Sequence, residues 1–508
     1  MYETDEEILH ESREEETTIT KRTPLPAFQL FIVYLIQFAE PITATVIYPF
    51  INQFVQETGV TQGDERRTGY YAGIIESIFF ITEAITVFQW GWLSDRLGRR
   101  PVLLLGPIGL SIGMLSFGFT NTFWVLVVSR CIQGIFNGNI GVSKSVIAEI
   151  TDATNIGDAF AYISLMWTVG STIGPILGGL LSRPATTWPD TFGSIALFKK
   201  YPYFLPCAVA ASLAFLAGAV AFIGLKETLP SAVAKQEAKK HAKNLKKSDP
   251  DPATSLLTHN NDTNYGTTRI ESDYSPIESG TTTPNSTFEK PPPLSALLVP
   301  EVVISVGTYM LLCFIDMSAQ VLRPLVYSTS IANGGLGFDP YRIGSIMGTW
   351  GVINAILQVV FLGKVIRRFG PRNMHILSQF SHLISTALYP LLGYFVRQSG
   401  TVDAKVWTVI IIQLIFQITN NMAYTSIMIL IIDSAPNRAS LGATNGMAQA
   451  VGCFMRSIAP SAASSLFSIS LQKQLAGGNM VFIVLTGVSL LGIRAALLLP
   501  KKLRNEKH

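Results

Sequence analysis

Residues Gly91 to Pro101 read GWLSDRLGRRP. Apolar runs flank this stretch, Tyr70 to Trp92 before it and Val102 to Phe119 after it, so it is a short charged hinge between two segments long enough to cross a bilayer. An ionised side chain beside hydrocarbon needs a partner or a route to water. One Asp and three Arg packed into eleven residues therefore mark a built feature and not an accidental break.

The whole chain supports a membrane class. Of its 508 residues 48% are hydrophobic and only 14% charged, a balance that needs a hydrocarbon solvent and not a single soluble core. The net charge of +4 says little about partners, and no nucleic acid is expected. All four cysteines, Cys131, Cys207, Cys313 and Cys453, fall inside apolar runs and read as small buried side chains, with no metal cluster implied. The acidic, hydrophilic residues 1–22 are the reverse of a cleavable leader. No GxxxxGK[ST] phosphate loop occurs, so transport would draw on a gradient, and neither an enzyme nor a cofactor is expected.

Twelve candidate spans follow. The first six cover about 28–50, 69–92, 101–120, 123–148, 160–182 and 202–225. The last six cover about 300–327, 341–363, 373–396, 406–432, 440–468 and 479–499. Each crosses about 30 Å of hydrocarbon as a helix, which satisfies its own backbone there. The expected organisation is a disordered tail (1–22), a six-helix bundle (23–229), a disordered linker (230–293), a second six-helix bundle (294–500) and a basic tail (501–508). The linker, from Pro230 to Pro293, has too few large apolar residues to offset the entropy of ordering it. It carries Ser275-Pro and Thr283-Pro, candidate phosphorylation sites, and glycosylation sequons at Asn261 and Asn285.

Lys and Arg concentrate on the hinge side of the spans: Arg96, Arg99, Arg100, the Lys235 to Lys247 cluster, Arg367, Arg368 and the tail from Lys501. The positive-inside rule predicts that this side, both termini and the linker are cytoplasmic; the expected membrane is the plasma or the vacuolar one, which the charges do not distinguish. Those sequons would then stay unmodified.

An internal repeat points to where a carrier's site lies. Gly157 precedes Pro175 by 18 residues in the fifth span, and Gly442 precedes Pro460 by the same 18 in the eleventh. GKVIRRFGPR, Gly363 to Arg372, reads as a decayed copy of the hinge that has lost its Asp. Two related halves result.

Polar residues inside the spans are the candidates for chemistry, because each carries an insertion cost of a few kcal/mol. Glu40 precedes Pro41 in the first span; Glu76 and Glu83 lie seven apart in the second and so share a helical face; Arg130 is in the fourth and Asp316 in the middle of the seventh. Proton carriage or substrate contact competes here with structural ion pairing. Asn354 and Gln358 in the eighth span, Gln413, Gln417, Asn420 and Asn421 in the tenth, and Arg456 in the eleventh would line the opposite wall or serve as interhelical glue. His382 in the ninth span has no evident partners and is weak ground for a metal.

The hinge resembles the loop signature between the second and third helices of the major facilitator superfamily, with Gly91, Asp95, Arg96, Gly98, Arg99 and Arg100 matching. SRCIQGIFNG around Arg130 is similar to that family's fourth helix, where the Arg is held to assist proton coupling. GSTIGPILGG resembles the antiporter signature GxxxGPxxGG at Gly170, Gly174, Pro175, Gly178 and Gly179, four glycines read as one close-approach stripe. By this resemblance Asp95 caps the eleventh helix near Ala439 to Gly442, its basic neighbours engage Glu149 or Asp152, and the latch favours the outward-facing state. Thr68 to Pro101 and Arg183 to Cys207 narrow the likeness to zinc-induced-facilitator-like proteins and their fungal relatives in the drug:proton antiporter branch. Neither a paired-Cys tail nor a His-rich loop is present, so zinc transport does not follow from the likeness.

The expectation is an all-α polytopic membrane protein with twelve helices in two pseudo-symmetric bundles. It would be a monomeric secondary transporter that exchanges protons for a small solute or ion by alternating access. Uniport, symport, or a non-transporting sensor with the same fold are the other readings.

Overall fold

The structure, a computed structural model, describes residues 23–152, 155–229, 232–233, 298–436 and 440–500, apart from the side chains of 156–158, 160, 161, 164, 421 and 442. Both tails, almost all of the linker with Ser275, Thr283, Asn261 and Asn285, and Ala439 lie outside the described residues.

Twelve spans cross the molecule. Those of the first half are Ala27–Thr45 continued by Ile51–Glu57, Thr68–Leu97, Arg99–Gly118, Phe123–Asn137 continued by Ile140–Ile150, Ile156–Leu181 and Phe204–Gly224. Those of the second are Pro300–Ser328, Pro340–Phe369, Pro371–Ser399, Ala404–Gln417 continued by Asn420–Ser434, Leu441–Gln472 and Met480–Leu497. Nine of the described helices are long and apolar enough to cross a membrane on composition alone. The fifth, ninth and eleventh fall outside that set, and burial against neighbours accounts for the ninth, whose polar His375, Ser378, Gln379 and His382 are all buried.

Local chemistry sets the ends. Asp339 and Asp403 accept hydrogen bonds from the backbone of Arg342 and Val406, capping the eighth and tenth spans, and Pro340 occupies a first-turn position where no donor is needed. Gly98 (φ 104°, ψ 159°) and Gly370 (φ 79°, ψ 152°) end the second and eighth spans in a backbone region open essentially to glycine alone. The hinge and its decayed copy thus turn in the same way although their charges have diverged.

Three spans expected to be continuous are broken. The first unwinds after Thr45, four residues beyond Pro41, and restarts at Ile51. The fourth breaks between Asn137 and Ile140, and the tenth between Gln417 and Asn420. The last two occupy equivalent places in the two halves. Paired interruptions of this kind mark the binding region of transporters built from repeats, since irregular backbone survives at membrane depth only where it lines a cavity or is buried in protein.

The halves meet through the second span on the eleventh and the fifth on the eighth. Between described residues, every hydrogen bond joining them lies at mid-depth or on the side away from the hinge: Ser461 with Ser77 and Gly73, Gln53 with Phe338, Tyr70 with Gln472, and Thr168 with Gln358. There Glu65 accepts from the Ser330 amide (2.7 Å), the Ser330 hydroxyl (2.6 Å) and Asn333 Nδ2 (2.9 Å). On the hinge side no hydrogen bond between described residues joins these helices, and Phe88, three turns from Ser77, is 84% exposed. The ties between the halves thus gather away from the hinge.

Candidate functional site

Between the halves, at mid-depth, lies a cavity of about 150 Å³. The first half contributes Thr45 and Tyr48 from the broken end of the first span, with Trp167, Thr168, Ser171 and Thr172 from the fifth. The second contributes Asp316, Gln320 and Arg323 from the seventh span, Met347, Trp350 and Asn354 from the eighth, and Gln417 and Asn420 from either side of the tenth-span break. Asp316 Oδ2 accepts from Gln320 Nε2 (2.8 Å) one turn along its own helix and from the Tyr424 hydroxyl (2.9 Å) across from it. The wall is largely polar, with Tyr48, Trp167 and Trp350 set among Thr, Ser, Asn and Gln side chains and two ionisable groups, an arrangement that suits a small polar solute.

A second polar system threads the first half. Arg130, fully buried, donates to Glu76 Oε2 (2.8 Å) and to Gln133 Oε1 (2.9 Å), and its guanidinium lies 4.8 Å from the Phe79 ring centre. Two helical turns toward the hinge, Glu40 (6% exposed) accepts from Asn137 Nδ2 at 3.0 Å, and Glu83 also approaches Asn137. Glu76 and Glu83 share a face of one helix yet have different fates: Glu76 is tied to a guanidinium, while Glu40 and Glu83 share an amide. The asparagine sits where the fourth span breaks. A void of about 10 Å³ beside Glu40 is lined by Gln37, Asn139 and Ser143, whose buried polar atoms find no protein partner, and it has room for about one water.

Gly134 and Gly138 let these helices meet. A Cβ at Gly138 would stand 2.6 Å from Thr86 Oγ1, and one at Gly134 would collide with the Phe79 carbonyl. The fifth-span glycines divide differently from the single stripe expected. Gly170, Gly174 and Gly178 face Pro41, Thr45 and Val46 of the first span, whereas Gly179 turns to Gly344 of the eighth. Adjacent helical residues point about 100° apart, so Gly178 and Gly179 serve two neighbours.

At the hinge Arg99 is the centre. It donates to Asp95 (2.6 Å), Ser94 (2.6 Å) and Glu149 (2.9 Å). Arg100 donates to the Phe222 carbonyl, and Arg96 stacks over Trp92 at 3.7 Å. Gly91 faces open space. Glu227, which the sequence reading passed over, accepts from the backbone amides of Arg99 and Arg100 and so caps the third span. Asp152 engages Thr23. Asp95 has 63% of its side chain exposed and is paired with Arg99.

Of the remaining candidates, Asn354 and Asn420 line the central cavity, Gln358 lies just beyond it against Thr168, and the side chain of Asn421 is outside the described residues. Arg456 packs beside Tyr309 and Cys313, near Glu83. Gln413 donates to the Ser385 carbonyl and joins the ninth and tenth spans. Tyr48, Trp167, Trp350 and Tyr424 were missed because an aromatic inside an apolar run has the signature of ordinary core.

Two six-span halves around a polar mid-depth cavity, tied together on the side away from the hinge, form the architecture of an integral membrane secondary transporter. The Major Facilitator Superfamily model matches residues 33–460, and the chain belongs to that superfamily. The chain is 33% identical over 486 residues to major facilitator-type transporter psiT2 of Psilocybe cyanescens, covering 93% of this chain and 90% of that protein. It is 28% identical to the major facilitator superfamily multidrug transporter mfsB of Aspergillus fumigatus (88% and 79% covered) and 27% identical to ZINC INDUCED FACILITATOR-LIKE 1 of Arabidopsis thaliana (93% and 91%). Among solved structures a D-xylose-proton symporter superposes with a TM-score of 0.64 at 15% identity, over 94% of this chain and 99% of that one.

Proposed function

We propose that the chain is a proton-coupled antiporter that exports a small solute from the cytoplasm, and that this conformation is its inward-facing state. The hinge side is then cytoplasmic, in keeping with its Lys and Arg excess, and would be the loading route to the central cavity. Export accords with the multidrug relative of Aspergillus fumigatus.

The observation that carries proton coupling is the contrast between Glu76 and Glu40. Glu76 is locked to Arg130 at 2.8 Å. Glu40 is equally buried but is held by the neutral Asn137, and among the described residues no Lys or Arg lies within ion-pair distance of it. A charge not committed to a structural pair is free to be gained and lost. Glu83 shares the same amide, which lets a proton bound at one carboxyl alter the other. Asp95 and the fifth-span glycines supply the moving parts: the hinge Asp would re-pair with the start of the eleventh span when the cytoplasmic side closes, and the span-five contacts would roll.

Proteoliposomes carrying the full chain and an internal pH dye test this. A pH gradient should drive solute against its own gradient with protons moving the opposite way, and Glu40→Gln should abolish that drive while leaving downhill exchange. Proton movement in the same direction as the solute would replace antiport by symport.

A further inference from the structure

We infer that the central cavity is built for an aromatic zwitterion whose cationic and anionic groups stand at opposite ends of the molecule. The inference rests on that cavity being the seat of the transported solute.

Asp316 and Arg323 are seven residues apart on the seventh span, and both line the cavity. Seven residues are two helical turns, about 10.5 Å, so the two charges share a face and cannot neutralise each other directly. Among the described residues neither has an ion-pair partner. Asp316 Oδ2 is held by Gln320 and Tyr424, both neutral, while Oδ1 accepts no hydrogen bond from the described residues. Arg323 lies beside Tyr389, also neutral, and its Nε is buried without a partner.

Charges left unpaired at membrane depth are costly, and a structural role would have paired them. A solute with an ammonium at one end and a carboxylate or phosphate at the other satisfies both, and the net-neutral complex crosses hydrocarbon at lower cost than either charge alone. Trp167 from the fifth span and Trp350 from the eighth line the same cavity. An indole suits an aromatic ring as a neighbour and also favours a cation. Because Trp167 and Trp350 belong to opposite halves, the solute would bridge the helices that move.

Binding to the purified full chain in nanodiscs tests the assignment with three probes on one scaffold: 4-(2-aminoethyl)benzoate, phenethylamine, which lacks the anion, and 4-ethylbenzoate, which lacks the cation. The zwitterion should bind at least about tenfold more tightly than either half-probe, since each charge-assisted hydrogen bond is worth about that much. Asp316→Asn should erase its advantage over 4-ethylbenzoate, and Arg323→Gln its advantage over phenethylamine. Equal affinity for the zwitterion and either half-probe, or binding of none, overturns the assignment. The wild-type comparison stands by itself should a variant fail to fold. Binding requires neither a proton gradient nor alternation, so a failure here is separate from a failure of the flux assay, which tests antiport.

Discussion

Gly179 of the fifth span and Gly344 of the eighth cross so closely that a Cβ built on either would stand 2.5 Å from the Cα of the other. The obstacle is backbone and not the flexible end of a side chain, so it cannot move aside locally. Gly344→Val should therefore wedge the far side open. Overpacking costs about 1–3 kcal/mol, enough to shift the equilibrium between the two openings by roughly tenfold or more, read as faster thiol labelling at Gln62→Cys. An unchanged labelling rate would mean that this crossing does not hold the far side shut.

Glu65 fastens the same side by three hydrogen bonds to Ser330 and Asn333. Hydrogen bonds to a charged group contribute about 1.5–3 kcal/mol each when buried and less where water competes. Glu65→Gln keeps the shape but weakens the acceptor, and Glu65→Ala removes it. Far-side labelling should rise in that order, with solute affinity measured from the hinge side falling as the loading state is depopulated.

Arg130 and Glu76 form a buried pair, 0% and 5% exposed at the side chain. Removing one partner leaves the other uncompensated, at a cost of about 3–5 kcal/mol. Arg130→Met should lower the melting temperature in detergent, and the double variant with Glu76→Gln should recover most of the loss. Recovery of gradient-driven transport as well would show the pair to be purely structural. Stability regained without transport would assign it a part in coupling.

Glu40→Gln and Glu83→Gln should differ in stability from Arg130→Met. Among the described residues neither carboxyl is engaged in an ion pair, so each substitution should cost less than about 1.5 kcal/mol, measured by the same melts, while the dependence of flux on pH flattens. A large stability loss would recast Glu40 as a structural group.

How much was legible in the sequence follows from what each signal encodes. Span number and order were readable, because a run of apolar residues is itself the physical requirement for crossing hydrocarbon. Glu40, Arg130 and Asp316 announced themselves by their cost there. Of the breaks, that in the tenth span was hidden because Gln417-Ile418-Thr419 leaves the composition of an apolar run almost unchanged, whereas Asn137-Gly138-Asn139 in the fourth carries a turn signal that the surrounding apolar run outweighed. Partnership was also hidden: spacing placed Glu76 and Glu83 on one face, but only the crossing of the fourth span assigns a guanidinium to one and an amide to the other. The aromatic cavity wall lacked any mark separating it from core.

The central claim is that two halves rock about this cavity and open one side at a time. Spin-label distances measured across both sides in nanodiscs test it most directly, with Phe88→Cys and Phe454→Cys on the hinge side and Gln62→Cys and Tyr341→Cys on the far side, in a background lacking the native cysteines. As pH is varied, the hinge-side distance should shorten while the far-side distance lengthens. Distances that stay fixed, or that grow and shrink together, would contradict it.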